Sequence, residues 1–159
     1  MKKTIFFLIL ILLVTTVGNL RAQRTAINLN GIWEFDQTTS AFPPKKFTRK
    51  IPVPGLVHLA IPKIEDYDKF FKRPGAVEFK EQHNLYNIDY TPRYSWYRKS
   101  VFIPEDMKGQ QGVITIKKSQ YVTQVFVNGI DMGTSVACYT PVEFNISGAL
   151  KYGVDNEIL

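Results

Sequence analysis

Three observations predict an all-β fold, a two-sheet sandwich. Past residue 22 no apolar pattern at helical spacing is sustained over about 11 residues. Short runs alternate apolar and polar instead, which lines one face of a half-buried strand. Between two such runs stands Asn128-Gly129, the strongest short-range hairpin signal, because both central residues of a type I′ turn need positive φ. Several short strands separated by turn signals indicate a sandwich or barrel.

The elements follow in order. Residues 31–35 put Trp33 and Phe35 on one face of a first strand. Residues 97–103 form a second, with Tyr97, Val101 and Ile103 on one side, and Pro104 ends it because proline donates nothing to a ladder. Residues 113–117 are β-branched at Val113, Ile114, Thr115 and Ile116, as a strand favours. Residues 122–127 give a strand closed by the Asn128-Gly129 turn, and its return partner runs through Ile130 and Met132 to Gly133. Residues 142–146 are a further strand, and residues 156–159 begin one more. The sandwich is therefore expected to lack its last strand or strands and to show an unpaired edge, and the protein is expected to be a fragment. The connection 63–93, with Phe70, Phe71, Phe79, Tyr86 and Tyr90, is too apolar for a disordered linker; it is expected to pack over the sheet, with a helical turn near residues 66–71.

Residues 1–22 stand outside the fold. Met1-Lys2-Lys3 is a positive start, residues 5–14 are uniformly apolar, and a polar stretch follows to Ala22: the pattern of a secretory signal peptide cleaved after Ala22 or Gly18. A membrane anchor needs about 20 apolar residues and is disfavoured. The domain organisation expected is thus a signal peptide over 1–22 and a sandwich domain over 23–159, in a periplasmic or secreted bacterial protein, with no membrane association after cleavage. Export redraws the charge. All 159 residues together carry 20 basic and 14 acidic side chains, net +6; removing Lys2, Lys3 and Arg21 leaves 17 basic residues, net +3. Scattered over an exported domain, that charge makes no basic stripe, so no nucleic-acid partner is expected. One cysteine, Cys138, excludes an internal disulfide and any multi-cysteine zinc site.

The aromatic group Tyr86, Tyr90, Tyr94, Trp96 and Tyr97 is the main candidate for ligand contact. Ring faces can carry the C–H face of a pyranose, while Tyr hydroxyls and the Trp N–H offer hydrogen bonds. Arg93 and Arg98 would add donors to sugar hydroxyls or a uronate. Tyr94, Trp96, Tyr97, Arg98 and Tyr139 are the carbohydrate-binding candidates; core or inter-domain packing is weighed above sugar contact for Trp96 and Tyr97, because sandwich cores need large aromatics, and Tyr139 is weighed the same way. No nucleophile signature is present. Asp66 and Asp68 lack a full Ca²⁺ ligand set and are taken as a solvated loop, as is the basic run Lys45, Lys46, Arg49 and Lys50. His58 and His83 are expected to be peripheral. No catalytic residue, metal or cofactor is assigned.

Five stretches in one order resemble the N-terminal sugar-binding domain of glycoside hydrolase family 2, the group of β-galactosidases, β-glucuronidases and β-mannosidases. They are Leu29-Asn30-Gly31-Ile32-Trp33-Glu34-Phe35; Ile51-Pro52-Val53-Pro54-Gly55; Trp96-Tyr97-Arg98-Lys99-Ser100-Val101-Phe102-Ile103-Pro104; Val125-Phe126-Val127-Asn128-Gly129 with Gly133 and Tyr139-Thr140-Pro141-Val142-Glu143-Phe144-Asn145-Ile146; and Asp155-Asn156-Glu157-Ile158-Leu159. The resemblance spans nearly all of residues 28–159. It departs from the family where Ala137-Cys138 precede Tyr139 in place of two glycines, and in the long connection 63–93. It implies a jelly-roll β-sandwich of the galactose-binding kind, followed by an immunoglobulin-like domain and a barrel whose two glutamates perform retaining hydrolysis. Carbohydrate and the remaining domains of its own polypeptide are the partners so implied. Residues 1–159 are expected to be inactive by themselves.

Overall fold

A computed structural model describes residues 24–64 and 94–159. The expected signal peptide, Tyr86, Tyr90, Arg93, His83, the Asp66–Asp68 pair and the connection from residue 65 to 93 lie outside the described residues. Eight strands lie among the described residues: β1 (Gly31–Thr38), β2 (Arg49–Val53), β3 (Tyr94–Ile103), β4 (Val113–Ile116), β5 (Thr123–Val127), β6 (Ile130–Ser135), β7 (Val142–Asn145) and β8 (Val154–Ile158). Single 3-10 turns at Val57–Leu59, Glu105–Met107 and Ser147–Ala149 are the helical elements among the described residues.

The strands form a six-stranded sheet in the order β2-β1-β3-β8-β5-β6 and a two-stranded sheet of β4 and β7. All pairings within them are antiparallel. Alternation places the core between the sheets. Val101 and Ile103 from β3, Val125 and Val127 from β5 and Ile158 from β8 meet Ile114, Val142 and Phe144 from the small sheet. Burying each such side chain contributes about 1.5–3 kcal/mol before conformational entropy is charged against it. Phe35, Ile51 and Ala60 make a second cluster toward the β2 end, and Trp33 packs against both. Its indole N–H donates to the Leu29 carbonyl at 2.8 Å. The ammonium of Lys99 lies 5.6 Å from the Trp33 ring centre.

The Asn128-Gly129 hairpin has the expected backbone, with φ of 52° and 79°, and Val127 pairs with Ile130 across it. Strand bounds shift where local pattern is weak. β1 runs to Thr38 and β3 starts at Tyr94, because each finds a partner in the other: Glu34 pairs with Arg98 and Thr38 with Tyr94. β2 went unrecognised in the sequence. Its Pro52 argues against a central strand, and β2 is indeed an edge, where proline is tolerated.

β8 is interior rather than peripheral, with β3 on one side and β5 on the other. Asn156 on β8 is 1% exposed and uses its whole amide. Its Nδ2 donates to the carbonyls of Lys151 at 2.7 Å and Val154 at 3.1 Å. Its Oδ1 accepts from Lys151 N at 2.8 Å and from Asn128 Nδ2 at 2.7 Å. Asn128 adds a bond from Nδ2 to the Ala149 carbonyl at 2.8 Å, and its Oδ1 accepts from Glu157 N at 3.1 Å. The hairpin turn is thereby bolted to β8.

Candidate functional site

A strand turns successive side chains to opposite faces, so β3 separates the candidates that its sequence sets side by side. Tyr94, Trp96 and Arg98 share the outer face of the large sheet. Tyr97 points the other way, where its ring meets Phe35 edge-on at 4.9 Å and 62°. Burial pushes the Tyr97 phenol above its usual range. It is an interior packing residue.

On the outer face Trp96 is 8% exposed. Its N–H is committed to Thr38 Oγ1 at 2.8 Å. Tyr94 stacks beside it at 6.5 Å and Phe126 from β5 closes the other flank at 6.3 Å. Arg98 is engaged too. Its Nε donates to Glu34 Oε2 at 2.7 Å, its Nη1 lies 3.7 Å from Glu157 Oε2, and its guanidinium stacks 4.3 Å over the Phe47 ring. The hydrogen bond from Arg98 holds Glu34 below the usual carboxylate range and raises Arg98 in return. Of the three, Tyr94 alone offers open ring surface, at 39% exposed.

Beside this face sits a buried carboxylate. Asp36 Oδ2 accepts from the Thr48 amide at 3.0 Å and the Thr48 hydroxyl at 2.6 Å, while Oδ1 accepts from Gln37 N at 2.9 Å and Arg49 Nη1 at 2.6 Å. Burial by itself would raise its pKa, but these bonds and the Arg49 charge together leave it lowered. The arrangement pins residues 48 and 49 to β1 and is structural.

Tyr139 lies elsewhere, in the β6–β7 connection at one end of the sandwich. It is 63% exposed and has φ of 60°. Its amide donates to the Ser119 carbonyl at 3.0 Å, tying it to the β4–β5 connection. That connection carries Tyr121, 69% exposed with φ of 67°, and the two loops also present exposed Val122 and Val136. A non-glycine residue in the left-handed region costs on the order of 1 kcal/mol or more and persists where its surroundings hold it. Tyr121 went unnoticed in the sequence, and its position between two short strands was the available signal. Cys138 is half-buried with a free thiol. Among the described residues, no group of three His, Cys, Asp or Glu side chains could hold a metal ion, and no helix is long and apolar enough to cross a membrane.

The five candidates thus divide three ways: an outer-face trio, one core tyrosine and one loop-end tyrosine. No protein-family model matches the sequence. A β-glucuronidase of Formosa agariphila is 32% identical over 63 residues, 40% of this chain and 6% of that protein. A β-galactosidase of Thermoanaerobacter pseudethanolicus is 41% identical over 59 residues, 37% of this chain and 8% of that protein. The matched stretch is therefore a small part of each curated relative. In fold, the protein is similar to β-D-glucuronidase of Dictyoglomus thermophilum, with a TM-score of 0.55 and 24% identity over 82% of this chain and 18% of that one. By its sequence and its β-sandwich, the protein resembles the N-terminal domain of glycoside hydrolase family 2 enzymes.

Proposed function

We propose that this protein is the carbohydrate-binding, non-catalytic N-terminal domain of an exported family 2 glycoside hydrolase. Residues 1–22 are its signal peptide and residues 23–159 its jelly-roll domain, delivered to the periplasm or the medium. Retaining hydrolysis of O-glycosidic bonds is the work of a barrel domain outside residues 1–159, and the sandwich supports it by packing and by holding glycan. The observation that carries this reading is the coincidence of sequence similarity to a β-glucuronidase and a β-galactosidase with a glucuronidase-like sandwich. The surfaces that suit a sugar are the open ring of Tyr94 and the loop-end tyrosines Tyr121 and Tyr139. Each offers an apolar face for pyranose C–H groups and a hydroxyl for hydrogen bonding.

Affinity electrophoresis through gels containing soluble polysaccharides tests the binding. Retardation is expected, and Tyr139→Ala together with Tyr121→Ala should abolish it if the loop end is the site. Tyr94→Ala plays the same part for the sheet face. Migration unchanged by every glycan, with the protein shown to be folded, overturns carbohydrate binding. The accessory role is tested by the intact gene: a barrel domain in the same reading frame is expected, and its absence overturns that role.

A further inference from the structure

The sequence contains two Asn-Gly pairs in nearly the same setting, Leu29-Asn30-Gly31-Ile32 and Val127-Asn128-Gly129-Ile130. Asn-Gly is the pair most prone to spontaneous deamidation, because glycine has no Cβ to hinder its nitrogen. That nitrogen attacks the asparagine Cγ, a new C–N bond forms, and the Cγ–Nδ2 bond breaks. Ammonia leaves carrying the proton of the glycine amide. Water then opens the cyclic imide to aspartate or isoaspartate. With matched neighbours, the two pairs differ only in what the fold does to them.

We propose that Asn30-Gly31 is the deamidation site of the folded protein, with Lys99 promoting the step, and that the fold holds Asn128-Gly129 closed. The Asn128 amide is clamped on both ends. Its nitrogen donates to the Ala149 carbonyl and to Asn156 Oδ1, and its oxygen accepts from the Glu157 amide. The Asn128 backbone N–H also donates to the Glu157 carbonyl at 2.9 Å. To bring Cγ onto the Gly129 nitrogen, the three bonds of the carboxamide must break together.

Asn30 is exposed, and its carboxamide nitrogen makes no hydrogen bond among the described residues. Gly31 is the first residue of β1 and stands on the last rung of its ladder with β2, opposite Val53. Strand ends are where such ladders open most readily. The Lys99 ammonium donates to the Asn30 backbone carbonyl at 3.1 Å and to the Leu29 carbonyl at 3.1 Å. It lies 3.7 Å from where a Cβ on Gly31 would stand. The Asn30 carbonyl belongs to the same peptide group as the attacking nitrogen. A cation on that oxygen makes the Gly31 N–H more acidic and favours the anion that attacks. The new carboxylate at position 30 then forms beside an ammonium.

Peptide mapping by mass spectrometry, on the whole protein incubated at mildly alkaline pH with and without urea, tests the assignment. In urea both sites should convert at similar rates. In the folded protein, conversion at Asn128 should be more than about tenfold slower than at Asn30, three hydrogen bonds having to open first. Equal rates at the two sites in the folded protein, or faster conversion at Asn128, overturn the proposal. Lys99→Gln should slow conversion at Asn30 about two- to fivefold, the scale of an exposed charge interaction, and Lys99→Arg should restore it. An unchanged rate at Asn30 in Lys99→Gln removes Lys99 from the proposal. The Asn128 site serves as the internal control for folding: a Lys99 variant that unfolds would speed conversion there, whereas loss of promotion alone leaves it slow.

Discussion

Replacing Asn156 by alanine should be among the most damaging single changes available in the described fold. The side chain is 1% exposed and makes four hydrogen bonds of 2.7–3.1 Å. Alanine removes all four and strands the Lys151 N–H and C=O, the Val154 carbonyl and one N–H of Asn128. A neutral hydrogen bond contributes about 1 kcal/mol net, and a buried group left without a partner costs about 1–3 kcal/mol. Some of these groups will recover water at the sheet end, so the total is put at about 3–5 kcal/mol, against about 5–15 kcal/mol for a whole domain. Asn156→Asp separates hydrogen bonding from volume. It keeps the acceptors for Lys151 N and Asn128 Nδ2 but turns a charged oxygen toward the carbonyls of Lys151 and Val154. At neutral pH it should destabilise at least as much as alanine, and part of the loss should return in acid, when the carboxyl group can donate. Urea denaturation followed by tryptophan fluorescence reads both, since Trp33 and Trp96 lie on opposite faces of the large sheet. A loss below about 1 kcal/mol for Asn156→Ala, with an unchanged denaturant slope, would refute the claim that this network holds β8 in place.

Two further outcomes follow from the same structure. The folded-state pKa of Asp36 is lowered, so its contribution is fully present above the unfolded-state value near 3.9 and is lost as pH falls through the folded-state value. Urea midpoints measured from about pH 5 downward should therefore fall more steeply for the wild type than for Asp36→Asn, and parallel curves would show that Asp36 carries none of the acid sensitivity. Trp33→Ala removes the ring shared by both core clusters and should cost about 3–5 kcal/mol by calorimetry or denaturant, whereas a cost under about 1 kcal/mol would mean the clusters close over the gap.

Much of the fold was legible because its signals are local. The alternation through residues 31–35 and 97–103 follows from strand geometry alone. Asn128-Gly129 marks its turn because few other residues accept two positive φ values in succession. The resemblance to family 2 was legible for a related reason: Trp33, Trp96, Asn128 and Asn156, which carry its motifs, occupy tightly packed or fully hydrogen-bonded positions of the sandwich. β2 was missed because proline there argues against a strand until the edge position is known. Among the candidate residues, alternation already implied that Trp96 and Tyr97 oppose each other. It could not reveal that Thr38 takes the indole N–H or that Glu34 and Phe47 engage Arg98, since those partners lie about 50 to 65 positions away in sequence.

By itself the sequence determined the all-β class, the main strands and their inward faces, all properties of residues within one run, and the family likeness, which rests on the order of five such runs. Tertiary structure alone decided that β8 lies between β3 and β5, that Tyr121 and Tyr139 share one end of the sandwich, and that two like Asn-Gly pairs meet opposite fates. Asn128 is bolted to Asn156 and Glu157 across 28 and 29 residues, whereas Asn30 is left open beside Lys99. Chemical reactivity and ligand access depend on which distant groups the fold brings within hydrogen-bonding reach, and no local pattern records that.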